Sequence, residues 1–377
     1  MNRIALKMLI RDRAKYIMLI CGLTFCALLI TQQSSVFCGI MMWATATIRN
    51  AHVPIWVMDA NVQQVNDVVA MRQIELDRVR SVPGVDWAVP FYYGLIQARL
   101  ADGSFQNVQL IGLDSNTLIG RPARMTDGSV EDLRLPNSVV IDQVAIEKFR
   151  SKGFELKVGT TFEINDKEAR VVGICKVDRS FLGQPYIYTT FERAKEYAPK
   201  TRKQLSYILV APKERIDPKS VITNLNQLHG LRAISEDDFF WETIWWYIKN
   251  TGIPIAFGAV VLLGAIVGIA IAGQTFYLFV HENMRYFAAL KAMGASTTIL
   301  VRMVLIQALT VGFIGYGMGV GAASIFGNLV ITKGQPPFYM PWQILAFTGG
   351  IILLICCVSA VIGLIKVIKL EPSVVFK

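Results

Sequence analysis

Residues 253–280 read IPIAFGAVVLLGAIVGIAIAGQTFYLFV, a run without a single Asp, Glu, Lys or Arg. A helix needs about 20 mostly apolar residues to cross the roughly 30 Å hydrocarbon layer of a bilayer, and this stretch exceeds that length. Three more runs of the same kind occur, at about Tyr16–Ile40, Leu300–Ile331 and Trp342–Ile368. The 377 residues are 53% hydrophobic with a mean hydropathy of +0.43. That is too apolar for one water-soluble globule, and the excess lies in the four runs. Between the first and second runs sits a polar segment of about 200 residues, long enough for a core of its own. The expected fold is therefore a membrane protein with four transmembrane α-helices and a large α+β extracytoplasmic domain between the first and second.

The net charge of +10 raises the possibility of a nucleic-acid partner. The distribution of charge argues against it. Residues 50–250 carry 25 basic and 25 acidic side chains, so the excess belongs to the membrane portion, with 13 basic against 3 acidic. Eleven of those basic residues flank one side of the spans: Arg3, Lys7, Arg11, Arg13, Lys15, Arg285, Lys291, Arg302, Lys366, Lys369 and Lys377. Only Arg49 and Lys333 flank the other. Basic flanks stay in the cytoplasm. Both termini and the 281–299 loop are thus expected inside, with residues 50–250 and the 331–341 loop outside. The first run is longer than a signal-peptide core and no clear A-x-A site follows it, so it reads as a retained anchor. Of the six cysteines, only Cys175 lies well inside the outer segment, so that segment holds no internal disulfide.

The outer segment opens with an apolar-rich stretch, Val53–Val65, followed by a helical pattern at Arg72–Val82 closed by Pro83-Gly84. Strand-like runs follow at Val85–Pro90, Gly94–Leu100 and Gln106–Gly112, the last two joined by Asp102-Gly103, a hairpin signal. The order is strand–helix–strand–strand. Residues 115–200 are richer in short strands (Ser138–Ile141, Thr161–Ile164, Ala169–Ile174 and Tyr186–Tyr188), with a short helix at Val144–Phe149. Ser206–Val210 resumes a buried strand and Pro218–Leu228 a helix, giving one α+β module with a β-rich insertion. Trp241, Trp245, Trp246 and Tyr247 precede the second run, as suits a membrane–water interface. Glu236–Asn250 also reads as a helical stalk extending that span outward.

No catalytic constellation is legible. His52, His229 and His281 are the only histidines, and Arg285 stands where H-E-x-x-H needs its second ligand. Neither G-x-S-x-G nor G-x-x-x-x-G-K-[ST] occurs, so ATP has no P-loop on this chain. The most informative stretch joins the second and third runs. Glu282–Lys291 reads as a short helix that Gly294 ends. Phe287 and Leu290 share a face, and Glu282 and Lys291 suit the helix dipole. Such a helix lies on the membrane surface or enters a groove on a partner. The spacings Gly264/Gly268, Gly315/Gly319 and Gly317/Gly321 fit G-x-x-x-G, for packing within a protomer or between two. Gln32-Gln33-Ser34-Ser35 interrupts the first run, either marking its outer end, with Val36–Ile48 as a stalk, or facing a dimer cleft.

The motif R-x-x-x-x-L-K-A-M-G-A-S, formed by Arg285 and Leu290 to Ser296, closely resembles the cytoplasmic-loop signature of the MacB/FtsX-like ABC permeases. The order of a basic amphipathic N-terminus, one span, a large outer domain and three spans resembles the same family. So does the Pro-containing ending, Lys369 to Phe376. With no fused ATPase at this length, the chain is most similar to DevC-type stand-alone permeases. The resemblance implies an enzymatically inactive subunit of the bacterial inner membrane, with no cofactor of its own and ATP and Mg on a separate cytoplasmic ABC ATPase. It implies a cytoplasmic amphipathic helix at 1–15, whose apolar Ile4, Leu6, Met8, Leu9 and Ile10 interleave with Arg3, Lys7, Arg11 and Arg13. It further implies a first span with its stalk at 16–49 and a periplasmic domain at 50–240, porter-like at about 50–114 and 206–235 with a sabre-like insertion at about 115–205. After these come a stalk and second span at 241–281, a coupling loop at 282–297, spans at 298–331 and 342–368, and a cytoplasmic tail at 369–377. Glu282, Arg285, Phe287, Leu290, Lys291 and Gly294 would form the ATPase-coupling helix, with Glu282 and Arg285 as polar contacts and Phe287 and Leu290 as apolar knobs. Further implied partners are a second copy in a homodimer, a periplasmic membrane-fusion adaptor and an outer-membrane duct for a lipid-like or amphipathic substrate. The alternative is an FtsX-like signalling subunit that activates an extracytoplasmic hydrolase without transport.

Overall fold

The first span forms a single helix, α1 (Arg13–Ala44). The computed structural model describes residues 7–9, 11–100, 103–199, 205–333 and 335–368, with the side chains of 332–333 and 364–368 left aside. Helix α1 runs unbroken through Gln32-Gln33-Ser34-Ser35, because a helix satisfies its backbone internally whatever its side chains. It stops at Thr45, whose hydroxyl donates back to the Met41 carbonyl at 3.1 Å, and a short α2 (Ala46–Ala51) follows. The stalk expected over Val36–Ile48 is thus helical in two pieces. The chain divides into two units, Met41–Thr251 and the combination of Met1–Ile40 with Gly252–Lys377.

The outer unit runs α2, β1 (Ile55–Asp59), α3 (Ile74–Arg80), β2 (Val85–Arg99), β3 (Phe105–Leu113), β4 (Met125–Gly128), β5 (Ser138–Asp142) and α4 (Gln143–Arg150). It continues with β6 (Thr161–Ile164), β7 (Lys167–Cys175), β8 (Tyr186–Thr190), α5 (Phe191–Tyr197), β9 (Tyr207–Pro212), α6 (Pro218–Leu225), β10 (Leu231–Ser235) and α7 (Glu236–Asn250). The β2–β3 turn places Gly103 at φ +81°; Asp102, its expected partner in the turn, lies outside the described residues.

These strands join in the order β10-β1-β9-β2-β3-β8-β5-β7-β4. The fifteen-residue β2 is long enough to serve two assemblies. Its first half, Val85–Phe91, pairs antiparallel with β9, and its second half pairs with β3. Strand β6 pairs with both β2 and β7, which closes β2-β3-β8-β5-β7-β6 into a ring of hydrogen-bonded strands. The structure therefore does not part at residue 114. The sheet is continuous there, because β3 runs parallel to β8 over Gln109–Leu113. One core cluster includes Ile96, Val108, Val139, Phe149 and Ile187. A second, aromatic core centres on Trp56, which meets Tyr207 edge-on at 5.4 Å and Phe91 at 5.7 Å.

Helix α7 covers the expected stalk, Glu236–Asn250, capped by the Ser235 hydroxyl on the Asp238 amide. Its aromatic residues divide differently from the expectation of one interfacial cluster. Tyr247 is buried within the outer unit, its ring 4.6 Å from Phe181, and Trp246 donates to Gln63 at 2.8 Å. Trp241 and Trp245 are exposed. The helix also ends at Thr251, which is extended, and a new helix begins at Ile253 with Pro254 in its first turn.

The membrane unit continues with α8 (Ile253–Glu282), α9 (Met284–Ala292), α10 (Thr297–Lys333) and α11 (Trp342–Ile368). With α1, three of these form four helices long and apolar enough to cross a membrane. Their shared core includes Leu23, Phe276, Val304 and Ile355. Polar groups inside it are paired in places: Thr31 with Thr348 at 3.3 Å, and the Tyr316 hydroxyl with the Leu345 carbonyl at 3.1 Å. The Tyr339 amide returns onto the Ser35 carbonyl at 3.0 Å. Of the expected N-terminal helix, Lys7–Leu9 are helical and Leu9 is buried in the same core. Arg3, Ile4, Leu6 and Ile10, like the tail at 369–377, lie outside the described residues.

Candidate coupling site and packing glycines

The loop between the second and third spans is built around Asn283. It caps the end of α8 and the start of α9 at once, with φ −89° and ψ 10°. Its side-chain amide donates to the Phe279 carbonyl at 2.9 Å. The expected helix start at Glu282 is therefore shifted: Glu282 is the last residue of α8, and α9 begins at Met284. The far end is as the sequence implied. Gly294 adopts φ +93°, the Ala295 amide bonds to the Leu290 carbonyl and the Gly294 amide to the Lys291 carbonyl, each at 3.0 Å. That pair of bonds is a Schellman motif, which stops a helix where glycine tolerates the left-handed conformation.

The two faces of α9 take separate roles. Phe287 and Ala288 are fully buried in the core formed by α8, α10 and Leu9. Phe287 was expected to project as a knob. Instead its ring anchors α9 to its own chain, because the 3.6-residue period that aligns it with Leu290 also points it at the spans. Leu290 and Lys291 are half-buried. The exposed rim includes Glu282, Arg285, Tyr286 (50% exposed), Met293 (75%) and Gly294. Tyr286 and Met293 carried no special weight in the sequence reading. An apolar methionine this exposed beside a helix end is the feature that marks the rim.

The rim is tied to the start of α1. Lys15 pairs with Asp12 at 2.7 Å and also with Glu282. The Arg11 guanidinium lies over the Tyr286 ring, 5.9 Å from its centroid. Together these contacts bracket Asn283 from both sides.

The glycines separate by face. A Cβ at Gly319 would lie 2.5 Å from the Ala27 Cβ and 2.6 Å from the Thr24 carbonyl oxygen. One at Gly315 would meet the Leu23 Cβ at 2.8 Å. Both glycines thus let α10 approach the backbone of α1. Gly268 meets Cys26 of α1 and Ile355 of α11, while Gly264 has ordinary contacts with Leu29 and Ile30. A Cβ added at Gly317 or Gly321 would meet no atom of another element within 4 Å among the described residues, so this pair packs on none of them.

Comparison with known proteins fits this organisation. Residues 35–228, just over half of the 377, match the MacB-like periplasmic core domain. Residues 241–372 match the FtsX-like permease C-terminal family. The uncharacterized ABC transporter permease Rv0072 of Mycobacterium tuberculosis is 24% identical over 307 residues, covering 80% of this chain and 78% of its own. The uncharacterized ABC transporter permease Mb2592 of Mycobacterium bovis is 25% identical over 313 residues, covering 81% of this chain and 78% of its own. Among solved structures, the periplasmic region of MacB from Actinobacillus actinomycetemcomitans aligns at 17% identity and a TM-score of 0.39, covering 54% of this chain and 96% of that one. The extracellular domain of the ABC-type transporter YknZ from Gram-positive bacteria aligns at 15% and 0.36, covering 48% and 98%. With a MacB-type core between its first and second spans and an FtsX-type module carrying the other three, the chain belongs to the MacB/FtsX-like family of ABC transporter permeases.

Proposed function

We propose that this permease takes ATP-driven motion from a separate cytoplasmic ATPase at the α9 rim and turns it into export of a lipid-like or amphipathic substrate. The observation that carries this reading is the division of α9 into a buried anchor and an exposed rim. A force applied to Arg285, Tyr286 and Met293 passes through Phe287 into a core that α8 and α10 share. A helix held at one face by a buried aromatic ring moves with its neighbours, since packed interiors transmit displacement. ATP and Mg belong to the partner. The bias of basic residues supports an inner-membrane orientation with α9 and both termini in the cytoplasm and the β-rich unit in the periplasm.

In this reading the moving spans act on the outer unit, which passes substrate to a periplasmic adaptor and an outer-membrane duct. A second copy completes the transporter, and Gly317 and Gly321 of α10 offer it a surface where backbones approach closely. Co-purification of the full chain with its ATPase tests the coupling site. Tyr286→Asp and Met293→Asp lie on exposed positions and should leave folding intact while weakening association at least tenfold and stopping export. Unchanged association and export in both variants would remove α9 as the coupling site.

A further inference from the structure

A cavity of about 360 Å³ opens within the outer unit, on the aromatic-core side of the sheet. Its floor is Tyr93 and Leu95 of β2 with Gln109 of β3, which stands directly across from Leu95 in the strand register. Its walls come from the segment after β1, through Gln64 and Asn66, from Phe181 before β8, and from Tyr247 of α7.

The polar groups here are of two kinds. Asn66 is fully engaged. Its side-chain oxygen accepts from the Tyr93 hydroxyl at 2.9 Å, and its amide nitrogen donates to the Ala44 carbonyl at 2.8 Å and to the Tyr247 hydroxyl at 3.3 Å. The Asn66 backbone amide holds the Gln64 side-chain oxygen at 2.7 Å. These bonds fix both tyrosines and Gln64 in place. The remaining amide atoms are left over. Gln64 and Gln109 are only 6% and 8% exposed. Yet the Gln64 Nε2 and both polar atoms of the Gln109 side chain have no hydrogen-bond partner among the described residues, and none of the three is sealed from solvent. Buried amides are normally paired, so two that line one cavity with donors and an acceptor to spare form a binding surface.

The lining also sets the charge of what binds. Among the described residues no Asp, Glu, Lys, Arg or His faces the cavity, and burial holds the Tyr93 hydroxyl up at about 12, so it stays neutral. An ion entering such a site would lose its hydration without gaining a counter-charge. The Phe181 and Tyr247 rings, 4.6 Å apart between centroids, offer an aromatic wall beside the amides. Aromatic faces meet C–H surfaces, whereas amide side chains donate and accept side by side. A ring that carries adjacent hydroxyls on its edge and C–H groups on its face satisfies both. The volume lies toward the lower end of small-molecule sites, about 300–1,000 Å³, which suits one such ring rather than an extended chain. We propose that the outer unit carries a binding site for an uncharged saccharide ring, held by Gln64 and Gln109 against the Phe181–Tyr247 wall.

The test uses the full chain in phosphatidylglycerol nanodiscs freed of glycoside detergents. Saturation-transfer NMR would be recorded with methyl β-glucoside, N-acetylglucosamine and maltose, alongside glucuronate and the neutral peptide N-acetyl-Ala-Ala-amide. At least one neutral sugar should bind, at least tenfold tighter than glucuronate and the peptide. Gln109→Leu and Phe181→Ala should each weaken it at least tenfold at an unchanged unfolding temperature; Phe181 lies outside the strands, so its variant reports even if the β3 variant unfolds. Absence of binding by all three sugars, equal binding of the peptide, or binding that survives both substitutions would overturn the proposal. ATPase association plays no part in the measurement, so its outcome is independent of the coupling site.

Discussion

Lys15, near the start of the first span, is ion-paired with Glu282, the last residue of the second span's helix. The same ammonium group holds Asp12 at 2.7 Å. One turn away, Arg11 lies over Tyr286 on the other side of the Asn283 link. The entry of α1 therefore grips both residues that bracket the joint between α8 and α9. An ATPase that pushes on α9 would move α1 as well as the two spans directly connected to it.

Reversal of one charge should reveal that grip. Lys15→Glu sets three carboxylates together, whereas Lys15→Glu with Glu282→Lys restores an attractive pair. The Glu282 side chain is 56% exposed, so the pair is worth no more than about 1 kcal/mol and its loss should leave the fold standing. Substrate-stimulated ATPase turnover should fall about three- to tenfold in the single variant and recover in large part in the double. Equal losses in both would show that the contact carries no coupling.

The glycines of α10 predict opposite outcomes two residues apart. Gly319→Leu drives a side chain into Ala27 and the α1 backbone, which should cost several kcal/mol by forcing helices apart. A Cβ at Gly321 meets nothing within 4 Å among the described residues, so Gly321→Leu should leave the melting temperature of the solubilised protomer within a few degrees. Light scattering of the same samples then reads the second copy: loss of the dimer with Gly321→Leu at normal protomer stability is the expected result.

Asp142 predicts the pH dependence of the outer unit. Its side chain is 1% exposed and caps α4 by accepting from the Ala145 amide at 2.8 Å. Burial raises its carboxyl from 3.8 to about 7. The folded state thus keeps a proton that the unfolded state loses near pH 4, so stability falls as pH rises from about 4 to about 7 and is level above that. Asp142→Asn keeps the capping oxygen and removes the titration. Unfolding midpoints across that range should lose this slope, and at pH 8 the variant should be the more stable by an order of 2–4 kcal/mol.

The four spans were legible because uninterrupted apolar length is a property of each segment alone. Helix α7 was legible for a similar reason, since Ser235 followed by Glu236, Asp237 and Asp238 is a local capping signal. Closure of the strand ring was not, because it rests on Ala98 and Arg99 pairing with Ile164 and Glu163, far along the chain. The periodicity around Phe287 correctly aligned it with Leu290. What it did not reveal was that this face meets the spans, which depends on the angle set at Asn283. The two glycine pairs in α10 were distinguishable in principle. Residues two apart point about 200° from one another on a helix, so Gly315/Gly319 and Gly317/Gly321 were bound to meet different neighbours. Gln64 and Gln109 gave no signal at all, since only the folded sheet brings them to one cavity.

The central claim is that the α9 rim faces the cytoplasm and is gripped there by an ATPase. Met293, 75% exposed at the end of that helix, is the place to read it. Met293→Cys, in a chain whose six native cysteines are replaced, would be treated with a membrane-impermeant maleimide in spheroplasts and in inverted vesicles. Labelling in inverted vesicles only, at least tenfold slower once the ATPase is bound, is the predicted result. Labelling of intact spheroplasts, or a rate indifferent to the ATPase, would contradict it.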